Sequence, residues 1–128
     1  MHITKGIRPE FTDNRGGITK ILDDGKTIIK STLIITSKAG SVRANHYHKT
    51  DAHYCYMLSG KMEYFEKPVG AEDSEIKSAI LQTGDMVYSP AMVIHAFRFL
   101  EDTTWVVMAL NSRHQAAYEA DTVRVKLI

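Results

Sequence analysis

Four of the six histidines of this chain stand at His46, His48, His53 and His95. A neutral imidazole offers a lone pair near neutral pH, so grouped histidines are a set of potential ligands for a transition metal. His46 and His48 are two apart, and in an extended strand both project to one face in a chelating arrangement. His53 opens the next apolar run, with Cys55 and Met57 on its face. His95 lies in Val93-Ile94-His95-Ala96-Phe97-Arg98-Phe99, sharing its side with Phe97 and Phe99. An imidazole among such side chains needs a polar partner, because an unpaired buried polar group costs on the order of 1–3 kcal/mol. A divalent ion satisfies all four at once; nitrogen ligands alone do not choose between zinc, iron, manganese and nickel. Any one of these histidines taken singly reads more simply as a surface or hydrogen-bonded residue. Their grouping is what points to a metal.

The elements that must hold them are strands. Short runs rich in Ile, Val, Thr, Tyr and Phe alternate with turn signals such as Gly16-Gly17, Asp23-Asp24-Gly25, Ser59-Gly60 and Thr83-Gly84. Strands are expected near 17–22, 27–36, 42–47, 53–58, 61–66, 76–81, 85–89, 93–100, 104–110 and 121–127. The stretch 67–75 reads as an exposed acidic loop and 112–120 as a short helix or turn. So many short strands in 128 residues predict an all-β antiparallel sandwich or barrel, with residues 1–128 as a single domain. The composition is that of an ordinary globular domain, 44% hydrophobic and 24% charged. A net charge of +1 argues against nucleic acid as a partner. No apolar run reaches membrane-spanning length, the opening residues do not resemble a signal peptide, and Cys55 is the only cysteine. A cytoplasmic protein without membrane contact is the expectation.

The spacings also resemble a known superfamily. Gly40-Ser-Val-Arg-Ala-Asn-His46-Tyr-His48-Lys-Thr-Asp-Ala-His53, continuing to Gly60, is similar to the first cupin motif, G-x5-H-x-H-x4-E-x6-G, with His53 in place of Glu. Gly84-Asp-Met-Val-Tyr-Ser-Pro90-Ala-Met92-Val-Ile-His95 resembles the second, departing at Met92, where the family usually has Gly. The resemblance implies a double-stranded β-helix, the cupin or jelly-roll barrel, with a metal held inside by His46, His48, His53 and His95. Replacing the carboxylate by imidazole removes a negative charge from the ligand set. Locally, Phe11-Thr-Asp13-Asn-Arg15-Gly16 and Arg43-Ala-Asn-His46-Tyr-His48-Lys49 look like segments of nucleotide-sugar epimerase and isomerase cupins, among them the C-terminal cupin domain of capsular-polysaccharide epimerase/reductases.

That likeness implies an isomerase or epimerase acting on a small carbonyl or nucleotide-sugar-derived substrate, and a homodimer. In the metal-free epimerases the first motif histidine is a base, a role a liganded His46 cannot fill, because its lone pair is already donated. Tyr64 and Tyr88 are then the candidates for moving the proton, although aromatics on strands more often pack. Arg43 and Arg15 suit a diphosphate by bidentate hydrogen bonding, and Phe97 is a further candidate substrate contact beside its core role. Asp13 reads as a turn residue, Cys55 as a small buried hydrophobe, and Met57, Met86 and Met92 as an adaptable apolar lining. Two other readings stand beside this one: an iron- or manganese-dependent dioxygenase using the open positions of the metal, and a sugar- or metal-binding module without turnover.

Overall fold

The computed structural model describes residues 1–128. In chain order the elements are β1 (His2–Thr4), β2 (Phe11–Asp13), β3 (Gly16–Ile18), β4 (Ser31–Ser37), β5 (Val42–His48), β6 (His53–Ser59) and β7 (Lys61–Pro68). A 3-10 turn at Asp73–Glu75 leads to β8 (Lys77–Gln82), β9 (Met86–Ser89), β10 (Val93–Phe99), β11 (Thr103–Ala109), α1 (Gln115–Asp121) and β12 (Thr122–Arg124). The strands form two five-stranded antiparallel sheets, ordered β1-β9-β6-β11-β4 and β12-β5-β10-β7-β8, with β2 and β3 a separate hairpin. No helix is long and apolar enough to cross a membrane.

Period-two alternation builds the core. Cys55, Met57, Val87, Trp105 and Val107 from the first sheet meet Met62, Tyr64, Leu81, Phe97 and Phe99 from the second, all buried. The order of the strands is that of a jelly-roll β-sandwich, the architecture expected. Gly60 makes the β6–β7 corner possible: its φ is +94°, and a Cβ there would stand 2.5 Å from the Asp102 carbonyl oxygen.

One irregularity positions the site. Along β5, Ala44 and Asn45 both have positive φ, +68° and +53°. The pairing with β10 slips here, with His46 opposite His95 but Ala44 opposite Ala96, so β5 carries one extra residue. In a regular strand Arg43 and His46, three apart, would face opposite sides. The extra residue brings both to the cavity side of the sheet. Asn45 holds the bulge by accepting the backbone N–H groups of Leu127 and Ile128 on Oδ1, at 2.8 and 3.1 Å.

The expected strands from 27–36 to 104–110 all form, with ends shifted by a few residues. The strand expected at 17–22 is only Gly16–Ile18, and the one at 121–127 ends at Arg124 after the helix. Two strands were not expected. β1 is three residues with a single inward side chain, Ile3 opposite Val87, and β2 exists only as the partner of β3.

Candidate metal centre

β5 delivers His46 and His48, the start of β6 delivers His53, and β10 delivers His95. His46, His48 and His95 each turn a ring nitrogen towards the others, and these atoms all lie within 4.8 Å of one another. His53 joins the group through His95, with the two Nε2 atoms 3.2 Å apart. Two nitrogens bound to one ion at right angles, each at about 2.1 Å, stand about 3 Å apart, so this spacing suits a shared ion.

The hydrogen bonds fix which nitrogens are free. The Thr122 hydroxyl donates to the Tyr118 carbonyl at 2.6 Å, so towards His48 it can only accept. His48 therefore donates from Nδ1–H, at 3.2 Å. Its Nε2 is left with a lone pair, buried and without any partner. His95 donates from Nδ1–H to the Val93 carbonyl at 3.1 Å, which likewise leaves its Nε2 as an acceptor. His53 then donates from Nε2–H to His95 and accepts the Cys55 thiol on Nδ1 at 3.3 Å. A bound ion would take the lone pairs of His48 and His95 as they stand; His53 would serve after moving its proton to Nδ1, facing the Cys55 sulfur.

All four imidazoles are held neutral. Burial, reinforced by His48, lowers His46 to about 3; burial and then His95 lower His48 to about 4. Burial and then His46 bring His95 to about 3, and His53 lies well below its ordinary value, chiefly through burial. Neutral, desolvated nitrogens with fixed tautomers fit a divalent cation. They are poor hosts for a proton.

The histidines face a cavity of about 160 Å³, with His46, His53 and His95 on its wall together with Arg43 and Phe97. Arg43 reaches it from the bulge, its Nε donating to Ser37 Oγ at 2.8 Å and a terminal nitrogen to the Thr36 carbonyl at 3.1 Å. Phe97 is buried, its ring centroid 5.8 Å from that of His95.

Three candidate residues are not brought to this cavity. Tyr64 points inward but is fully buried further along the core, donating to Glu66 Oε2 at 2.7 Å and meeting Ser89 Oγ at 3.0 Å. Burial raises its phenol well above the ordinary range. Tyr88 lies on the outer face of the first sheet, because its neighbour Val87 takes the core side; its ring packs 4.7 Å from that of Tyr54. Arg15 is on the β2–β3 hairpin, 80% exposed, and is paired with Asp13 at 2.6 Å. Asp13 also accepts the Arg15 backbone N–H at 2.9 Å, the turn expected of it. The methionine lining is not found at the cavity: Met57 is core and Met92 is 47% exposed. Cys55 is fully buried against His53 Nδ1, and its thiol is pushed well up by burial.

Two cavity residues escaped the sequence reading. Arg113 precedes α1 and Tyr118 lies within it, and both line the cavity, with the guanidinium carbon 4.9 Å from the tyrosine ring centre. Their one signal is that 112–120 is the only helix-capable stretch in a chain of strands.

A family model described as Cupin matches residues 19–125. The chain belongs to the cupin family. No curated protein sequence matches this cupin. Among solved structures it is similar to a 3,4-ketoisomerase from Helicobacter canadensis, at 22% identity and TM-score 0.75, over 97% of this chain and 91% of that one. It is similar to the sugar 3,4-ketoisomerase QdtA from Thermoanaerobacterium thermosaccharolyticum in complex with TDP, at 19% and 0.74, over 96% and 88%. It also resembles the capsular polysaccharide assembling protein CapF from Staphylococcus aureus, at 21% and 0.66, over 74% of this cupin but only 26% of that chain. At these identities the likeness is one of fold.

Proposed function

We propose that residues 1–128 form one cupin domain that binds a divalent transition metal through His46, His48, His53 and His95 and acts as an isomerase or epimerase on a small carbonyl or nucleotide-sugar-derived substrate. The observation that carries the metal reading is His48 Nε2, a buried nitrogen with its lone pair free and its tautomer set by Thr122. Such an atom, left alone, is a net destabilisation, and a cation removes it. A divalent ion bound there supplies a Lewis acid for a carbonyl oxygen. The chain's own residues do the rest. Phe97 and Trp105 keep the inner end apolar, Arg43 offers charge to an anionic group, and Tyr118 brings a phenol to the cavity wall as the proton carrier in place of Tyr64 and Tyr88. The 3,4-ketoisomerase and the TDP-bound sugar 3,4-ketoisomerase named above share this fold and support the reaction class.

We assign a homodimer through the outer face of the first sheet, where Ile34 is 72% and Leu58 45% exposed on the face that also carries Tyr54 and Tyr88. A monomer mass in gel filtration removes that assignment. The buried, unpaired Cys55 is in keeping with a cytoplasmic protein.

Elemental analysis of the purified wild type and His48→Ala tests the metal site. Near-stoichiometric metal that falls in the variant is the expected result, and a wild type that takes up no ion overturns it. Iron, accompanied by oxygen uptake with the substrate, would replace the isomerase by the dioxygenase.

A further inference from the structure

The least satisfied charge in the cavity belongs to Arg113. Its Nε is buried and has no hydrogen-bond partner. The Asp51 carboxylate oxygen is 3.4 Å away, close enough to pair in charge but not aligned to accept. Asp51 Oδ1 is engaged elsewhere, accepting the Asn111 backbone N–H at 2.9 Å. The ring of Tyr118 covers one face of the guanidinium at 4.9 Å. With Nε sealed against Asp51 and one face on Tyr118, the accessible part of this side chain, 19% exposed, is its terminal edge on the cavity wall. Arg43 differs, because its Nε and one terminal nitrogen already donate to Ser37 and Thr36.

A guanidinium with an open edge fits a planar oxyanion by two parallel hydrogen bonds. Size narrows the ligand. At the histidine end the cavity is about 160 Å³, room for a group on the scale of a three-carbon acid; it opens outward, so size acts on the part of the ligand held between Arg113 and the histidines. Charge calls for an anion, since four neutral imidazoles bring no negative charge to offset a cation beside them.

We infer that Arg113 anchors the carboxylate of a short oxo or hydroxy acid, placing the carbonyl or hydroxyl oxygen at the histidines. This assignment rests on the reading of the cavity as the reaction site, and it chooses the small carbonyl over the nucleotide-sugar-derived substrate. Arg113 fixes substrate identity while the histidine end does the chemistry.

Calorimetric titration of the metal-loaded chain with pyruvate, with its uncharged counterpart butane-2,3-dione and with inorganic phosphate tests it. The expected result is pyruvate binding at least tenfold tighter than the dione, and weakened about ten- to hundredfold in Arg113→Met. Arg113→Lys, which keeps the charge but loses the fork, should recover part of the loss. The near-ultraviolet circular dichroism of Trp105 checks that each variant is packed. No pyruvate binding by the wild type, equal binding of pyruvate and dione, unchanged binding in Arg113→Met, or phosphate binding tighter than pyruvate each overturns the inference. Metal content on the same samples keeps the two readings apart. Bound metal without an Arg113-dependent pyruvate response sinks this assignment alone, whereas pyruvate binding at Arg113 in a chain that takes up no ion sinks the metal site alone.

Discussion

The metal-free protein should lose stability steeply between pH 8 and about pH 5.5, and the histidine cluster should be the cause. His48, His53 and His95 are buried and neutral in the folded chain, with pKa values lowered chiefly by desolvation, to about 4 for His48 and about 3 for His95. In the unfolded chain each titrates near about 6.5. Below that value the unfolded state binds more protons than the folded one, so stability falls as pH falls and keeps falling until the folded-state values are reached. One pH unit below the unfolded value, each such histidine costs about 1.4 kcal/mol; three together cost about 4 kcal/mol, and the half-buried His46, also lowered to about 3, adds to the same loss. That is a large share of the 5–15 kcal/mol typical of a folded domain. The carboxylates whose values are lowered, Asp85 and Asp121 among them, start to matter only below their ordinary value of 3.8, outside this window. Urea unfolding at the two pH values, with a chelator present, reads the difference directly. His48→Gln should shrink the pH-dependent loss by about 1.4 kcal/mol, whatever it does to stability at pH 8. A wild-type midpoint that does not move between pH 8 and pH 5.5, or a His48→Gln loss as large as the wild type's, refutes the reasoning.

Further outcomes follow from single contacts. Met92 has φ +62° with its side chain half in solvent, so Met92→Gly relieves left-handed strain and should raise stability by about 0.5–1 kcal/mol, seen as a higher urea midpoint. Thr122→Val removes the acceptor that sets the His48 tautomer and should weaken metal binding about ten- to hundredfold in a chelator competition, with the fold intact. Tyr118→Phe should slow solvent deuterium exchange at the carbon beside the substrate carbonyl about a hundredfold, while Tyr64→Phe leaves that rate within a fewfold of wild type.

The sequence was most informative where a period rules. Two-residue alternation gave the inward sets 55/57 and 97/99 and set His46 beside His48. It was silent where the chain departs from a period. Nothing in Arg43-Ala-Asn-His46 announces the extra residue in β5, because Ala and Asn are unremarkable until their φ values are known. The two tyrosines misled for different reasons. Tyr64 has the inward parity, but Glu66 and Ser89 claim its hydroxyl away from the cavity, and Tyr88 has the outward parity that its neighbour Val87 dictates. Arg113 and Tyr118 were missed because they come from a loop and a seven-residue helix, elements placed by tertiary contact rather than by pattern. The Gly-to-Met departure at position 92 was legible as a departure, and its positive φ shows what the glycine of the motif is for.

The bulge in β5 makes the site depend on a count as well as on identities. An arginine an odd number of residues before the first histidine shares its side only if the strand holds one supernumerary residue, as it does here at positions 44 and 45. Deleting Asn45 alone removes the extra residue with it, so Arg43 and the first histidine, then two apart in a regular strand, would still share a side, whereas deleting Ala44 as well would set them next to each other and on opposite sides. When relatives of this chain are aligned, a one-residue gap between positions 43 and 46 is therefore neutral for the facing of this arginine, and a two-residue gap is not. Spacing and bulge decide the facing together: odd spacing needs the extra residue to present this arginine to the cavity, and even spacing needs its absence.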